Sequence, residues 1–575
     1  MNITRFSLAV ALASLAQVAQ SQNPLELESE SLRQFRQEQE RQSLQRQQLQ
    51  PQPDVKLPAS VDPTTSLLFP AQESPCFVVN AVELGVVGQP LRDWGWLKNH
   101  LQTAQDPTPI EGRCLGVQGV GVVMARLQQA LVHSGWTTTR ITAPPQDLSS
   151  GVLQLQVLQG VVSHIRFGDG HGLRATRFNT LPIKPGQPLN LRDIEQGLEN
   201  YKRVPTVEAD VAIEPGAEPG ESELVIRHSQ AFPFRVHASL DDSGSRTTGR
   251  YQGSITLSYD NWWTMSDLFY ITLQSEVGGK DTGPRGNSGR TVHYSVPWGY
   301  SLLSLNRSTS RYHQTVAGAF QSYVYSGQSE QHDVRLSRIV QRDQVGKTTM
   351  ALRAFHRRSR NFIDDTEIEV QRRAVSGVDV SLGHRRSLGQ GQWEATLTRR
   401  EGIKKWGSLP APEEAFGEGT SLMRLWLLDA SLSVPFKLGQ QAFNYHGSLR
   451  RQWHQTPLTP QDRFVIGGRY TVRGFDGANV LSAESGVLVR NELSTAVGQT
   501  PYSVYAGVDW GRVGGPSAAF LMGRELTGGV VGLRSNWKTG PVQTQVDLFV
   551  GQPLKKTAGF RTAKWVYGFS LNTQF

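Results

Sequence analysis

After its first twenty residues the sequence has no apolar run long enough to cross a bilayer as a helix, and its mean hydropathy is −0.37. A membrane-spanning helix needs about 20 consecutive apolar residues, so helical membrane spans are excluded. The sequence also lacks a glycine-rich phosphate loop between a strand and a helix. No spacing of His, Ser and carboxylates indicates catalysis. We therefore expect that the chain is not an enzyme, and that it has no catalytic residue and no cofactor.

Cysteine is scarce, because the 575 residues include only Cys76 and Cys114. No His or further Cys lies near either residue at ligand spacing, which argues against a metal site. Two reduced cysteines are the other alternative. The first 21 residues, described next, indicate export, and an exported chain meets an oxidising compartment in which cysteine pairs form disulfides. We predict a disulfide between Cys76 and Cys114, and no metal site.

The first 21 residues indicate export. Arg5 precedes an apolar stretch from Phe6 to Val18, and small residues then lead to Ser21. This order is typical of a cleaved secretory signal. A retained membrane helix is the alternative, but the apolar run is too short for one. We predict a signal peptide over residues 1–21.

The net charge of +9 is not concentrated in one basic run. A basic chain with a pI near 9.5 is compatible with nucleic-acid binding. Here, however, Arg and Lys are scattered through alternating segments. A charged channel lining and surface explains this distribution better, and we expect no nucleic-acid partner.

Residues 22–53 consist mostly of Glu, Gln, Arg, Ser and Leu, and contain no glycine. This composition predicts a helix. Its apolar residues are too sparse for a core-facing stripe, so the helix lies in water or in a pore, unless the segment is disordered. Prolines end the helix and open an extended linker over residues 54–75.

Two consecutive stretches, 76–160 and 161–231, share an order of elements, which indicates an internal repeat. The first has a strand over 76–84, two helical segments and two strands, over 136–142 and 151–157. In the second, the clearest helix begins after Asn190, a good N-cap residue. Both stretches predict the order β-α-α-β-β, and therefore two small α+β domains in tandem.

From residue 232 to residue 575, short segments alternate apolar and polar residues between turn residues. Phe269 and Leu273 fall on one face of such a segment, and Tyr270 falls on the other. A soluble β-sandwich alternates in the same way. The strands are many, however, and the last one carries aromatic residues on one face up to Phe575. A lipid-exposed closed barrel requires such a face, so we predict a mainly β chain with a C-terminal transmembrane barrel.

This order of segments resembles the two-partner secretion outer-membrane transporters, the ShlB/FhaC/HecB haemolysin secretion/activation family related to BamA. The likeness is most specific in GGRYTVRGFDG, residues 467–477, which holds the family's VRG(F/Y) tetrad as Val472, Arg473, Gly474 and Phe475. An isolated RGF tripeptide would be an ordinary turn. The resemblance implies two periplasmic POTRA domains, a sixteen-stranded barrel, and a loop around 464–480 that folds back into the barrel.

The resemblance also implies roles for individual residues. Arg473 is expected to pair with Asp509 on the inner barrel wall, in a G-x-D-x-G strand that ends at Gly511. Alternation agrees, because an outward apolar face through Val508 turns Asp509 toward the lumen. The terminal Phe575 is expected to be a barrel-assembly signal. The N-terminal helix resembles the family's plug helix, with a disordered spacer as the alternative.

The function implied by this resemblance is secretion of a large partner exoprotein across the outer membrane without nucleotide. The partner is a haemolysin, an adhesin or a contact-dependent inhibition toxin with an N-terminal secretion domain. The other expected partners are outer-membrane lipids and the barrel-assembly machinery, and the chain is expected to be monomeric. The alternatives are a BamA-like factor for assembly and insertion of outer-membrane proteins, and an adhesin or enzyme built on a barrel.

Overall fold

The computed structural model describes residues 24–50, 53–58, 67–104, 106–169, 174–278, 285–318 and 320–575. The predicted signal peptide lies outside the described residues. From the N-terminus, the structure consists of a long helix, two α+β domains and a closed β-barrel. None of the described helices combines the length and the apolar character that a membrane crossing requires.

The described residues contain three α-helices and six short 3-10 helices. The α-helices are α1 (Pro24–Leu49), α2 (Val117–His133) and α3 (Leu191–Lys202). The 3-10 helices are Gly95–His100, Leu148–Ser150, Glu369–Gln371, Pro412–Phe416, Pro460–Asp462 and Pro516–Phe520.

The first α+β domain packs α2 on two small sheets. Its strands are β1 (Phe77–Val79), β2 (Ala81–Val86), β3 (Arg113–Leu115), β4 (Arg140–Thr142) and β5 (Val152–Leu158). β1 pairs with β3, and the other three strands follow the order β2-β5-β4. The apolar face of α2, with Val123, Leu127 and Leu131, is buried against this sheet.

The second α+β domain packs α3 on one sheet. Its strands are β6 (Val161–Phe167), β7 (Val207–Pro215) and β8 (Glu221–Gln230), in the order β6-β8-β7. Asn190 caps α3 as predicted, since its side-chain oxygen accepts the Arg192 N–H at 2.8 Å. Ile194, Leu198 and Tyr201 form the buried face of this helix.

Three details of the two domains differ from the sequence analysis. The strand expected over 76–84 is broken at Asn80, because β1 and β2 pair with different partners. The strand expected over 136–142 is reduced to β4. The second domain has one α-helix in its described part instead of two, because residues 174–190 form turns that dock on the barrel.

The predicted disulfide is confirmed. Cys76 and Cys114 are bonded across a sequence separation of 38 residues. Cys76 immediately precedes β1, and Cys114 is the central residue of β3, opposite Val78. The bond therefore fastens the start of the first domain to the strand that leads into α2.

The barrel is closed by sixteen long strands in the described residues, which confirms the predicted fold class. The strands of the first half are β9 (Phe234–Asp241), β10 (Gln252–Asp260), β11 (Leu268–Glu276), β12 (Gly286–Trp298), β13 (Ser301–Ala317), β14 (Ser322–Arg342), β15 (Gly346–Ile363), the two-residue loop strand β16 (Thr366–Glu367) and β17 (Arg373–Leu388).

The second half includes two short strands, β21 and β22, that pair with each other and are not part of the wall. The strands are β18 (Gly391–Ile403), β19 (Arg424–Leu438), β20 (Gln441–His454), β21 (Phe464–Ile466), β22 (Leu481–Ala483), β23 (Ser485–Ala496), β24 (Tyr502–Gly514), β25 (Glu525–Thr539), β26 (Val542–Lys555) and β27 (Val566–Gln574). Neighbouring wall strands are antiparallel, and β27 closes the barrel on β9.

Side chains alternate across the barrel wall as predicted. On β10, Ile255 and Leu257 are exposed on the outer face, whereas Thr256 and Ser258 are buried on the inner face. Tyr270 on β11 is also buried inside, while Leu273 is exposed outside. An apolar exterior and a polar interior suit a wall between lipid and a hydrated lumen.

The second domain is attached by polar contacts to the short turns at one end of the barrel. The Asn179 side chain donates to the carbonyl oxygens of Met265 and Pro297 at 2.7 and 2.9 Å. The Tyr300 hydroxyl donates to Asp193 at 2.6 Å. Burial raises the pKa of the Asp193 carboxyl above its ordinary value, and the Tyr300 hydrogen bond offsets part of this effect. The domain therefore has a defined orientation below the barrel.

The disulfide should contribute to the stability of the first domain. Replacing both Cys76 and Cys114 by Ser removes a cross-link over 38 residues, so the free energy of unfolding of this domain should fall by about 3–5 kcal/mol. Denaturant unfolding followed by near-ultraviolet circular dichroism measures the change. Heat-modifiable gel mobility, which reports the barrel, is the control and should not change. Coincident domain transitions in the oxidised wild type and the variant would contradict this prediction.

Candidate functional site

The loop that joins β20 to β23 folds back into the barrel. Near its base, β21 and β22 pair as a short antiparallel ladder, with Val465 opposite Ser482. Residues 467–480 form the tip between them, and this tip contacts the inner faces of β23 to β26. The structure thus brings the predicted motif residues together at one place on the inner wall.

Arg473 and Asp509 form a buried ion pair at the centre of this site. The Arg473 Nε and Nη2 atoms donate to Asp509 Oδ2 and Oδ1 at 2.7 and 2.9 Å, and the Arg473 backbone N–H donates to Oδ2 at 2.9 Å. The two residues are 7% and 0% exposed. A planar guanidinium that meets both carboxylate oxygens fixes orientation as well as distance.

The ion pair belongs to a larger network that the sequence analysis did not assign. Arg473 Nη1 also donates to Glu492 on β23, and Arg534 on β25 bridges Glu492 and Asp547. In the strand register Glu492 lies opposite Gly507, two residues from Asp509. Gly507 and Asp509 share a face because they are two residues apart, and Asp509 points into the lumen. Glu492, opposite Gly507, therefore also points into the lumen, which the sequence VRNEL at 489–493 alone does not show.

Glycines on the wall make room for the loop tip. A Cβ atom at Gly528 would lie 1.8 Å from the Arg473 carbonyl oxygen, and one at Gly511 would lie 3.0 Å from Val472 Cγ2. Gly474 has φ +100° and packs against the backbone of β26, with its Cα 2.8 Å from the position of a Cβ at Gly551. Only glycine both adopts this positive φ readily and lets the loop backbone approach β26 so closely.

Apolar packing adds to the polar contacts of the tip. Val472 is fully buried and Phe475 is 1% exposed. The Phe475 ring meets the Phe560 ring edge-on, with the centroids 5.7 Å apart. Both side chains of the motif belong to an apolar cluster with residues of β21 to β25 and the adjoining loops, namely Phe464, Ile466, Leu481, Ala483, Leu488, Val513, Ala518, Leu526 and Phe560.

Two further ion pairs hold the same loop. Asp462, just before β21, pairs with Arg357 of β15 at 2.8 Å, and both side chains are almost fully buried. Arg469 pairs with Asp242 beside β9 at 2.8 Å and donates to the Phe569 carbonyl oxygen. The loop is therefore fastened on opposite sides of the lumen.

Helix α1 lies in the lumen beside the loop. Its 26 residues have a length of about 39 Å, sufficient to run through the barrel. Hydrogen bonds and one ion pair join it and the next residue to the inner wall and the loop: Arg36 with Pro460 and Ser482, Glu40 with Arg450, Arg41 with Gln252, Gln45 with Ser254, and Gln50 with Tyr270 and His293.

Apolar contacts of this helix are few among its described side chains. Leu49 is buried with Leu268 and Tyr270, whereas Leu44 is 41% exposed. A cavity of 990 Å³ remains between the helix, the loop and the wall. The wall there carries alternating charges, since Arg353 pairs with both Asp333 and Asp379. A passage with a charged lining surrounds the helix.

Residues 53–58 connect the helix to both the second domain and the barrel. The backbone N–H groups of Val55 and Leu57 donate to Glu199 and Glu195 of α3 at 3.0 and 2.9 Å. Arg342, at the end of β14, donates to the Val55 carbonyl oxygen and to both carboxylates. The segment is thus fixed where α3 meets a periplasmic turn.

The remaining predicted residues lie elsewhere. Phe575 is at the seam of the barrel, where its backbone exchanges two hydrogen bonds with Val236 at 2.9 and 3.0 Å. Its ring is 58% exposed. The Cys76–Cys114 bond lies in the first domain. No group of three or more His, Cys, Asp or Glu suited to a metal ion occurs among the described residues.

Sequence comparison matches three regions of the chain to known families. Residues 220–535 match the family described as haemolysin secretion/activation protein ShlB/FhaC/HecB. Residues 161–215 match a POTRA domain, and residues 97–160 match a POTRA domain of the ShlB type. The two α+β domains are therefore POTRA domains, as predicted.

Similar individual proteins agree with this match. The chain is 38% identical to the outer membrane transporter CdiB-2 of Burkholderia pseudomallei, over 81% of this chain and 79% of that protein. It is 25% identical to the hemolysin transporter protein ShlB of Serratia marcescens, over 70% and 71% of the two chains. The solved structure of CdiB from Acinetobacter baumannii superposes with a TM-score of 0.81 at 29% identity, covering 96% of this chain and 99% of that one.

The Arg473–Asp509 pair should be coupled energetically. Arg473→Ala removes the bidentate partner of buried Asp509, and Asp509→Ala leaves buried Arg473 with Glu492 alone, so each should lower the free energy of unfolding of the barrel by about 3–5 kcal/mol. The double variant should lose about 1–3 kcal/mol less than the sum of the single losses. Urea unfolding in vesicles, followed by gel mobility, measures this double-mutant cycle.

The pair of Arg372 and Glu367, in the loop between β15 and β17, provides a control outside the barrel wall. Its N···O distance is 2.6 Å, and the two side chains are 34% and 20% exposed. Their cycle should give a much smaller coupling than that of the buried pair. Equal coupling in the two cycles would show that the buried pair does not hold the loop.

Proposed function

The chain belongs to the ShlB/FhaC/HecB family of haemolysin secretion/activation proteins and is an outer-membrane transporter with periplasmic POTRA domains, and we propose that it exports one large exoprotein while its loop stays fixed and its N-terminal helix leaves the lumen. The observation that supports this division of roles is the different character of the contacts that hold the two elements.

The loop is held by contacts that are costly to break. Its tip combines the buried Arg473–Asp509 pair with an apolar cluster, and its base adds the buried Arg357–Asp462 pair. Separation would leave charges without partners in a poorly hydrated site, at about 3–5 kcal/mol for each broken pair. We therefore propose that Val472, Arg473, Gly474, Phe475, Asp509 and Gly511 form a fixed transport motif.

The helix is held by contacts that water can replace. Its hydrogen bonds to Ser254 and Tyr270 are each worth about 0.5–1.5 kcal/mol when exchanged for water, and the one from charged Arg41 to Gln252 about 1.5–3 kcal/mol. Among its described side chains only Leu49 is part of a buried apolar cluster. The helix is thus the plug that moves, and the charged lumen that it vacates suits an unfolded, hydrated polypeptide.

The POTRA domains receive the partner in this proposal. In the first domain, β2 and β4 are the outer strands of their sheet, so each has one edge that pairs with no other strand in the described residues. Such an edge gives an extended segment backbone hydrogen bonds that depend little on its sequence. We propose that the N-terminal secretion domain of the exoprotein binds such edges before it enters the barrel.

The likeness to transporters named CdiB favours one class of partner among those left open by the sequence. A partner of the kind that those CdiB transporters export is preferred over a haemolysin or an adhesin. Export needs no nucleotide in this proposal, because folding of the exoprotein outside the cell opposes its return. The chain acts as a monomeric transporter without catalytic activity.

Phe575 has a role in barrel assembly in this proposal. At the closing seam, it is the residue by which the barrel-assembly machinery identifies the last strand.

The proposed segments are the signal peptide 1–21, the plug helix 22–53, the linker 54–75, the POTRA domains 76–160 and 161–231, and the barrel 232–575. The boundary after residue 160 is supported by the junction of the two POTRA matches.

A cross-link between helix and wall tests the proposal. Gln45 Nε2 lies 3.1 Å from Ser254 Oγ. Because the glutamine side chain separates the two backbones, Gln45→Cys and Ser254→Cys are joined by a short, reducible bis-methanethiosulfonate linker that holds the helix in the lumen. Cells that carry the cross-linked double variant should retain the large exoprotein encoded by the adjacent reading frame in the periplasm, and reductant should restore its release into the medium. Immunoblots of the medium and the periplasm measure export.

The controls are the two single variants and reductant-treated wild type, since reductant also opens the Cys76–Cys114 bond. All three should export, with assembly checked by gel mobility. Unchanged export by the cross-linked form would show that the helix does not need to leave. If assembled wild type releases no exoprotein, the chain is not its transporter.

A further inference from the structure

The periplasmic rim of strands β9 to β12 carries a group of exposed aromatic side chains. Trp262 and Trp263, in the turn between β10 and β11, are 47% and 64% exposed. Trp298, at the end of β12, is 60% exposed, and Phe234, at the start of β9, is 52% exposed. We call these four residues, together with Phe178 of the second POTRA domain, the rim patch.

The strand register shows that the rim patch faces outward. His293 of β12 is buried and contacts Gln50 in the lumen, so its side chain points inward. Trp298 is five residues further along the same strand, and side chains an odd number of residues apart lie on opposite faces. The Trp298 ring therefore projects from the lipid-facing wall of the barrel.

Phe178 extends this patch from the periplasmic domain. Its ring meets the Trp298 ring edge-on, with the centroids 5.4 Å apart, and yet it is 58% exposed. The neighbouring Asn179 accepts the Gly299 N–H at 2.7 Å and donates to the Pro297 carbonyl oxygen. The backbone of the Phe178 turn is thus fixed to the barrel rim, and the ring is directed along its outer surface.

We propose that the second POTRA domain is itself a membrane-contacting domain and that Phe178 inserts into the periplasmic leaflet of the outer membrane. The occupant is lipid, because the patch continues the outer wall of the barrel, which is already surrounded by lipid. Aromatic rings concentrate at the boundary between acyl chains and headgroups, where they form the girdles of outer-membrane barrels.

This contact would fix the orientation of the domain relative to the membrane plane. Asn179 and Asp193 already attach the domain to the barrel turns on one side. Insertion of Phe178 adds an anchor on the outer side, so the domain has two attachments and resists tilting. An exoprotein bound below the barrel would then stay aligned with the lumen.

Site-directed nitroxide labelling tests this proposal. Both native cysteines are in a disulfide, so Phe178→Cys provides a single free thiol in the full-length chain. The labelled protein is reconstituted in vesicles of phosphatidylethanolamine and phosphatidylglycerol. Oxygen concentrates in the bilayer, whereas a polar nickel chelate stays in water. The ratio of the two accessibilities, from power-saturation paramagnetic resonance, places the label.

Two further labelled sites calibrate the ratio. Leu257→Cys is on the outer wall of β10 and Ile213→Cys is on β7 of the same POTRA domain, where the native residues are 55% and 38% exposed. The oxygen-to-nickel ratio at 178 should be closer to that at 257. A ratio close to that at 213 would overturn the proposal. Low access of both reagents that varies with the protein-to-lipid ratio would indicate a second copy, and would also overturn it.

A second variant addresses the chance that a label at 178 perturbs the turn. Phe178→p-benzoyl-phenylalanine keeps an aromatic ring at this position, and the Asn179 hydrogen bonds to the rim remain. Under ultraviolet light this side chain should form adducts with phospholipid acyl chains, as should the same substitution at Leu257 but not at Ile213, measured by mass spectrometry. Lipid adducts at 257 without adducts at 178 would contradict the anchor.

Discussion

The buried pairing of Arg473 with Asp509 is the constraint on which the interior of the barrel depends. It joins a loop tip to the wall through three hydrogen bonds, one of them from the backbone. Because charges in this position need both partners, the wall must approach the loop closely. The glycines at 511, 528 and 551 allow that approach. Gly474, on the loop, also lacks a side chain that would keep the loop from the wall.

The fixed loop in turn determines where the helix lies. It occupies one side of the lumen, and the helix fills part of the remainder through contacts with both the loop and the opposite wall. Apart from the buried Leu49, the contacts described for the helix are polar, and water can replace most of them. A passage with one firmly held element and one weakly held element can open without disturbing the barrel wall. The segment at 53–58 ties the same helix to the POTRA domain below.

Local patterns in the sequence predicted most helices and strands, but they could not predict contacts between strands that are distant in the sequence. Two-residue alternation gave the barrel faces, as at Tyr270 and Leu273, and Asn190 gave the start of a helix. The pairing of Arg473 with Asp509 was expected from a family resemblance. The links to Glu492 and Arg534 were not predicted, because they depend on the register of three strands. The break at Asn80 was not predicted either, because it arises where β1 pairs with β3 and β2 pairs with β5.

The most direct test of this account is export by Arg473→Lys at equal amounts of assembled barrel. Lysine keeps the positive charge but lacks the planar fork that meets both Asp509 oxygens. If transport depends on a loop held in this geometry, release of the partner exoprotein into the medium should fall well below wild type while gel mobility shows a folded barrel. Export equal to that of wild type would show that charge alone suffices and that the fixed loop is not what transport requires.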